Sequence, residues 1–138
     1  MIHPYIPLLR VARFVEVLLR EQIDPDAADA LDFARLARIP DDWVPDGPRY
    51  ADVSWSAPLA DPASAGPTHA VLLFKCESAV RADAGERLQR HRESLARTLN
   101  RLGALGHPGR PARVVPVVLY NGETPWNAPG AIHPRGSR

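Results

Sequence analysis

The residues best suited to chemistry lie where apolar runs end. Residues 70–77 form a continuous apolar run closing on Lys75, Cys76 and Glu77, the pattern of a central strand whose end emerges into a polar site. Lys75 is the only lysine of the chain, and strand geometry puts it on one face with Glu77, about 7 Å along the strand. Cys76 is the only cysteine, which excludes an internal disulfide and any multi-cysteine metal site. It points to the apolar side of its strand, as a buried thiol rather than a nucleophile. Upstream, Asp52, Ser54 and Ser56 alternate with Val53 and Trp55, so that the acid and two hydroxyls share a face opposite a buried tryptophan. Downstream, Arg87, Arg90, Arg97 and Arg101 share one face of a helical segment, where they could neutralise phosphates or simply be solvated.

The elements that must position these residues follow from periodicity. Residues 8–20 carry Leu8, Val11, Ala12, Val15, Leu18 and Leu19 at helical spacing, which predicts an amphipathic helix. A second helix is expected from Asp24, a good N-cap, with Pro25 at its first position and Ala28, Leu31 and Ala34 or Leu36 as its buried stripe. Three prolines, Gly47 and three aspartates mark residues 40–48 as a loop. A strand is expected over 50–57, a long flexible hairpin connection over 58–68, and the central strand over 70–77. Asp83 and Glu86 form a capping box ahead of Leu88, His91, Leu95, Leu99 and Leu102, and Gly103 ends that helix. His91 falls on the apolar stripe and reads as a packed core histidine rather than a ligand. Residues 114–120 form a third apolar strand before the Asn121-Gly122 turn signal. A strand, a crossover helix and a further strand argue for at least one parallel pair in a mixed α/β sheet.

At 138 residues the chain is long enough for one domain, expected over 1–130, with a loose tail over 131–138. No apolar run approaches the length of a membrane span, so no membrane partner is expected. Residues 1–7 lack the charged start and cleavage site of a signal peptide, which favours a cytoplasmic location. The net charge of +1 hides an asymmetry: residues 1–80 hold 7 basic and 12 acidic side chains, residues 81–138 hold 10 and 4. A basic second half suits phosphates, but 16 of the 17 basic residues are arginine beside 15 prolines, a mixture that GC-rich coding also produces.

Particular segments resemble the YhgA-like transposase family, also described as recombination-promoting nucleases. They are Leu31-Asp32-Phe33 with Leu36, Arg38 and Pro40; Tyr50-Ala51-Asp52-Val53-Ser54-Trp55; and Val115 to Glu123 followed by Pro125, Trp126, Ala128 and Pro129. The last is the most specific, a buried strand running into Leu-Tyr-Asn-Gly-Glu and then Pro-Trp-x-Ala-Pro. The resemblance implies a restriction-endonuclease-like α/β core of the PD-(D/E)XK superfamily, a mixed sheet with flanking helices. It also implies Mg²⁺-dependent phosphodiester hydrolysis on DNA. In that scheme two carboxylates hold the ion beside the scissile phosphate, and an amine or amide two residues along the strand orients the attacking water.

Carried over, Asp52 matches the family's hairpin acid. The second strand departs, because Lys75-Cys76-Glu77-Ser78 stands where the family has Glu-x-Gln-Ser, putting a cation at the acid position and an acid at the amide position. Two readings compete. In one the pair has exchanged roles, Asp52 and Glu77 binding Mg²⁺ while Lys75 orients water. In the other the nuclease has decayed and Lys75 and Glu77 form an ordinary ion pair. The resemblance also puts Arg90-His91 where the family often carries Arg followed by Tyr, so Arg90 either contacts phosphate or Glu77 or simply faces solvent. Family members continue past the Pro-Trp-x-Ala-Pro motif into further helices, so the chain is expected to be C-terminally truncated. Three functions follow as expectations: a DNA endonuclease, an inactive remnant binding nucleic acid through Arg87, Arg90, Arg97 and Arg101, and a protein-interaction fragment or homo-oligomer with exposed apolar surface.

Overall fold

A computed structural model describes residues 6–40, 43, 52–62, 66–77, 83, 84–103, 105, 110–120 and 131–132, with the side chains of Asp52, Ala84, Ala131 and Ile132 excepted. The Asn121-Gly122 turn and the Pro-Trp-x-Ala-Pro motif fall outside the described residues.

The N-terminal helical layer is shorter-stepped than its periodicity predicts. It comprises α1 (Ile6–Leu9), α2 (Ala12–Leu18), a π-helical turn (Leu19–Ile23) and α3 (Pro25–Asp29). The expected single helix over 8–20 is therefore broken at Val11, whose extended backbone (φ −107°, ψ 117°) makes it the N-cap of α2. Asp24 caps α3 as expected, its carboxylate accepting from the N–H groups of Asp26 and Ala27 at 3.0 and 3.2 Å. The expected second helix then stops early. Asp32 turns the chain by accepting from Ala34 N–H and Arg35 Nε, a short 3₁₀ turn covers Phe33–Arg35, and β1 (Ala37–Arg38) follows. Asp and Asn compete with helix in this way by bonding the backbone two residues on. Arg20 staples the layer, donating to Glu16 and Asp29 at 3.0 Å each, and those bonds, that to Glu16 foremost, hold its guanidinium above the ordinary value.

The sheet has five strands in the order β1-β2-β3-β4-β5, with β2 spanning Asp52–Pro58, β3 His69–Glu77, β4 Arg113–Tyr120 and β5 Ala131–Ile132. Strands β2 and β3 form the expected antiparallel hairpin, with Asp52 in register with Lys75 and Trp55 with Leu72. Its connection is tied rather than loose at the base, where Leu59 N–H donates to the Thr68 carbonyl at 2.9 Å. The crossover helix α4 (Ala84–Leu102) then returns the chain so that β4 runs parallel to β3, as expected from the strand-helix-strand order. The expected loose tail is corrected at its start: Ala131 and Ile132 pair in parallel with Val118 and Leu119.

Side-chain alternation along β2, β3 and β4 divides the interior into two cores. Val53, Trp55, Leu72, Phe74, Cys76, Val117 and Leu119 pack with Leu9, Val15, Leu19 and Ala28 of the N-terminal layer. Val71, Leu73 and Val114 pack on the other face with Ile39 and with Leu95 and Leu99 of α4. Both faces being covered explains why β3 is apolar throughout its length rather than alternating. The polar face of β2 is covered as well: Ser54 is only 1% exposed and its hydroxyl finds no hydrogen-bond partner. Trp55 is buried as expected, and its indole N–H donates to the Leu9 carbonyl at 2.7 Å, closing the C-terminal end of α1.

Helix α4 ends as its sequence predicts, on Gly103 in the left-handed region at φ +67°. Its start differs. Asp83 is the N-cap but its side chain makes no capping bond, because ψ of 13° at that residue departs from the extended N-cap conformation a capping box needs. The buried stripe runs through Leu88, Leu95 and Leu99, whereas Leu102, in the last helical turn, is 48% exposed.

Candidate functional site

The C-terminal ends of β3 and β4 and the inner face of α4 meet at one polar corner. Lys75 and Glu77 lie two residues apart on β3, hence on the face that α4 covers together with Leu73. The parallel register sets Val118 beside Lys75 and Tyr120 beside Glu77. The antiparallel register sets Asp52 directly across from Lys75 on the other side. The Asp52 side chain lies outside the described residues.

Lys75 is 4% exposed, and its Nζ stands 2.8 Å from Nδ1 of His91. That separation is a hydrogen bond between the lysine amine and the imidazole ring. The histidine is partly buried on the α4 stripe between Leu88 and Leu95, as periodicity predicts. What periodicity misses is its task, since it is the polar residue that reaches from α4 to the lysine. The signal was present in outline: a histidine interrupting a leucine stripe, and a lone lysine ending an apolar strand, each need a partner when buried. Tyr120, 3% exposed and in register with Glu77, belongs to the Leu-Tyr-Asn-Gly-Glu motif, but its place at this corner was not foreseen, because only the parallel register brings it there.

Other expected site residues fall elsewhere. Cys76 is buried among Trp55, Phe74 and Leu119 on the opposite face, as expected of an inert thiol. Arg90, Arg97 and Arg101 are exposed on α4 and Arg87 is half-buried. Arg97 donates to the Ser94 hydroxyl at 3.2 Å. A shallow depression on this helix is lined by Ser94, Arg97, Thr98, Asn100 and Arg101. Among the described residues no three His, Cys, Asp or Glu side chains cluster as metal ligands. None of the described helices is long and apolar enough to cross a membrane.

Fold and corner together define a mixed α/β protein with helices on both sheet faces and, at the strand ends, a buried lysine bonded to a half-buried histidine. No protein-family model, curated protein or solved structure matches this chain.

Proposed function

We propose that this chain is a DNA-binding protein of the recombination-promoting nuclease type in which phosphodiester hydrolysis is lost or strongly weakened. The observation that carries the reading is the buried Lys75 amine, hydrogen-bonded to His91 at the register position facing Asp52. A hairpin followed by a crossover helix and a parallel strand supports the nuclease-like scaffold that the sequence motifs suggest.

The same register argues against catalysis. Directly opposed residues of an antiparallel pair stand about 4.5–5.5 Å apart, and diagonal neighbours about 7–8 Å. The position directly across from Asp52, where the family carries its second metal-binding acid, holds an ammonium that repels a divalent cation. Glu77, the remaining acid, is diagonal to Asp52 and one full pleat period along. A displacement of even 1 Å in such a centre costs about a hundredfold in rate. This donor set suits Mg²⁺ poorly. What remains is the basic outer side of α4, whose exposed arginines are suited to phosphate contacts.

Incubation of the purified protein with supercoiled plasmid and Mg²⁺ tests this. The expected result is no nicking, alongside a mobility shift of duplex DNA that weakens as salt rises. Nicking that Asp52→Ala abolishes would overturn it in favour of an enzyme with Asp52 and Glu77 as ligands and Lys75 as water orienter.

A further inference from the structure

We infer that the outer side of α4 is a one-sided docking strip for a single phosphodiester backbone, sequence-independent and separate from the nuclease-like corner. The inference rests on the DNA-binding reading above and specifies how the DNA is held.

Helical geometry orders the outer residues of α4, of which Arg90, Arg97 and Arg101 are exposed and Arg87 and Ser94 half-buried. Arg87, Arg90, Ser94, Arg97 and Arg101 follow one another at steps of three and four, so they form a continuous track about 21 Å long between the first and last. The inner side of the helix is committed to the sheet through Leu88, Leu95, Leu99 and the His91–Lys75 bond. The track therefore faces away from Lys75 and Glu77, and a backbone lying on it does not reach the strand ends.

One margin of the track is acidic. Glu86, Gln89 and Glu93 run beside it, all exposed, with the Gln89 amide donating to Glu93 at 2.9 Å. A helix seated in a major groove meets phosphates on both walls, and here one wall would face two carboxylates. A single backbone avoids them by lying on the margin opposite, where the Ser94 and Thr98 hydroxyls add donors beside Arg97 and Arg101. Arg97 already donates to Ser94, so its guanidinium is held toward the middle of the track. Helix α4 contains no Phe, Tyr or Trp, and His91 is turned to the sheet, so bases have no stacking platform and a single strand gains nothing over a duplex.

The test is titration of two unrelated 20-base-pair duplexes, and one single strand of the same length, with the full chain at several salt concentrations. Four arginine–phosphate contacts predict a slope of log affinity on log salt of roughly −3 to −4. Equal affinity for both duplexes and no tighter binding of the single strand are expected. In the triple variant Arg90→Gln, Arg97→Gln, Arg101→Gln the slope should fall to about −1, and low-salt affinity at least about tenfold. Arg13→Gln, an exposed arginine in the other helical layer, is the control for net charge and should change affinity by less than about twofold. Glu86→Gln with Glu93→Gln should tighten binding.

Unfolding midpoints matching the wild type show that the variants are folded. Unchanged affinity in the folded triple variant overturns the strip and leaves the DNA-binding reading standing. A preference of more than about tenfold between the duplexes overturns the backbone-only mode. Absence of binding by the wild type at low salt overturns the DNA-binding reading itself, and the strip with it.

Discussion

At the scale of single residues, the buried Lys75–His91 contact sets the terms. An ammonium that is 4% exposed has given up most of its hydration, and the imidazole nitrogen returns part of that loss. Removing the imidazole leaves the charge less well satisfied, which costs about 1–3 kcal/mol. Removing both groups takes away the donor and the acceptor of that bond together. His91→Leu should thus destabilise the protein by that amount, while His91→Leu combined with Lys75→Met should lie closer to the wild type. Urea unfolding of the two single variants and the double variant reads the coupling directly. Additive effects would show that the 2.8 Å contact contributes nothing of its own.

At the scale of elements, α4 is anchored by few side chains, so each matters. Leu95 is fully buried between the helix and Val71, Leu73 and Val114 of the sheet. Leu95→Ala should cost about 2–5 kcal/mol through lost transfer energy and the cavity left behind. Gly103 is a different case, because an added Cβ meets no atom within 4 Å and the penalty is conformational alone. Gly103→Ala is expected to cost about 1 kcal/mol from the left-handed backbone. Thermal unfolding of the two variants should rank them in that order, and an equal loss would contradict the packing account. In the N-terminal layer, by contrast, stability is distributed over several short helical pieces joined by the Asp24 cap, the Asp32 turn and the Arg20 bridge. The exposed apolar residues Leu8 and Val11 of that layer are on the side of the sheet away from Leu102, so they do not join it in one apolar surface.

At the scale of the whole molecule, the proposal that hydrolysis is lost has a consequence independent of any assay of DNA. A protein that holds a divalent ion in its native state alone is stabilised by that ion in proportion to the logarithm of its concentration. With an ammonium at the position facing Asp52, addition of about 10 mM Mg²⁺ should leave the unfolding midpoint within about 1 °C of its value in chelator. A midpoint climbing steadily with Mg²⁺ would show an ion site in the folded protein and restore the exchanged-role enzyme. The charge asymmetry between the two halves of the chain belongs to this scale too. The basic half contributes α4, with its arginines on the outside, while the acidic half contributes the helical layer on the opposite face.

Much of the architecture is written locally. The apolar run over 70–77, the leucine stripe of α4, the Gly103 stop and the Asp24 cap act through periodicity and near-neighbour hydrogen bonds, so each is legible without knowledge of the fold. The break at Val11, the early end of α3 and the pairing of Ala131 with Val118 were not legible, because packing and strand pairing overrode helical spacing and a proline-rich composition. That a lone lysine and an acid end the apolar run, at positions 75 and 77, was visible from residue types alone. That Lys75 is buried, that it faces Asp52 in register, and that its partner is a histidine sixteen residues away were decided only when the hairpin register and the docking of α4 were fixed. Those are long-range contacts, and no local pattern specifies which residues of two distant elements come to the same depth in the core.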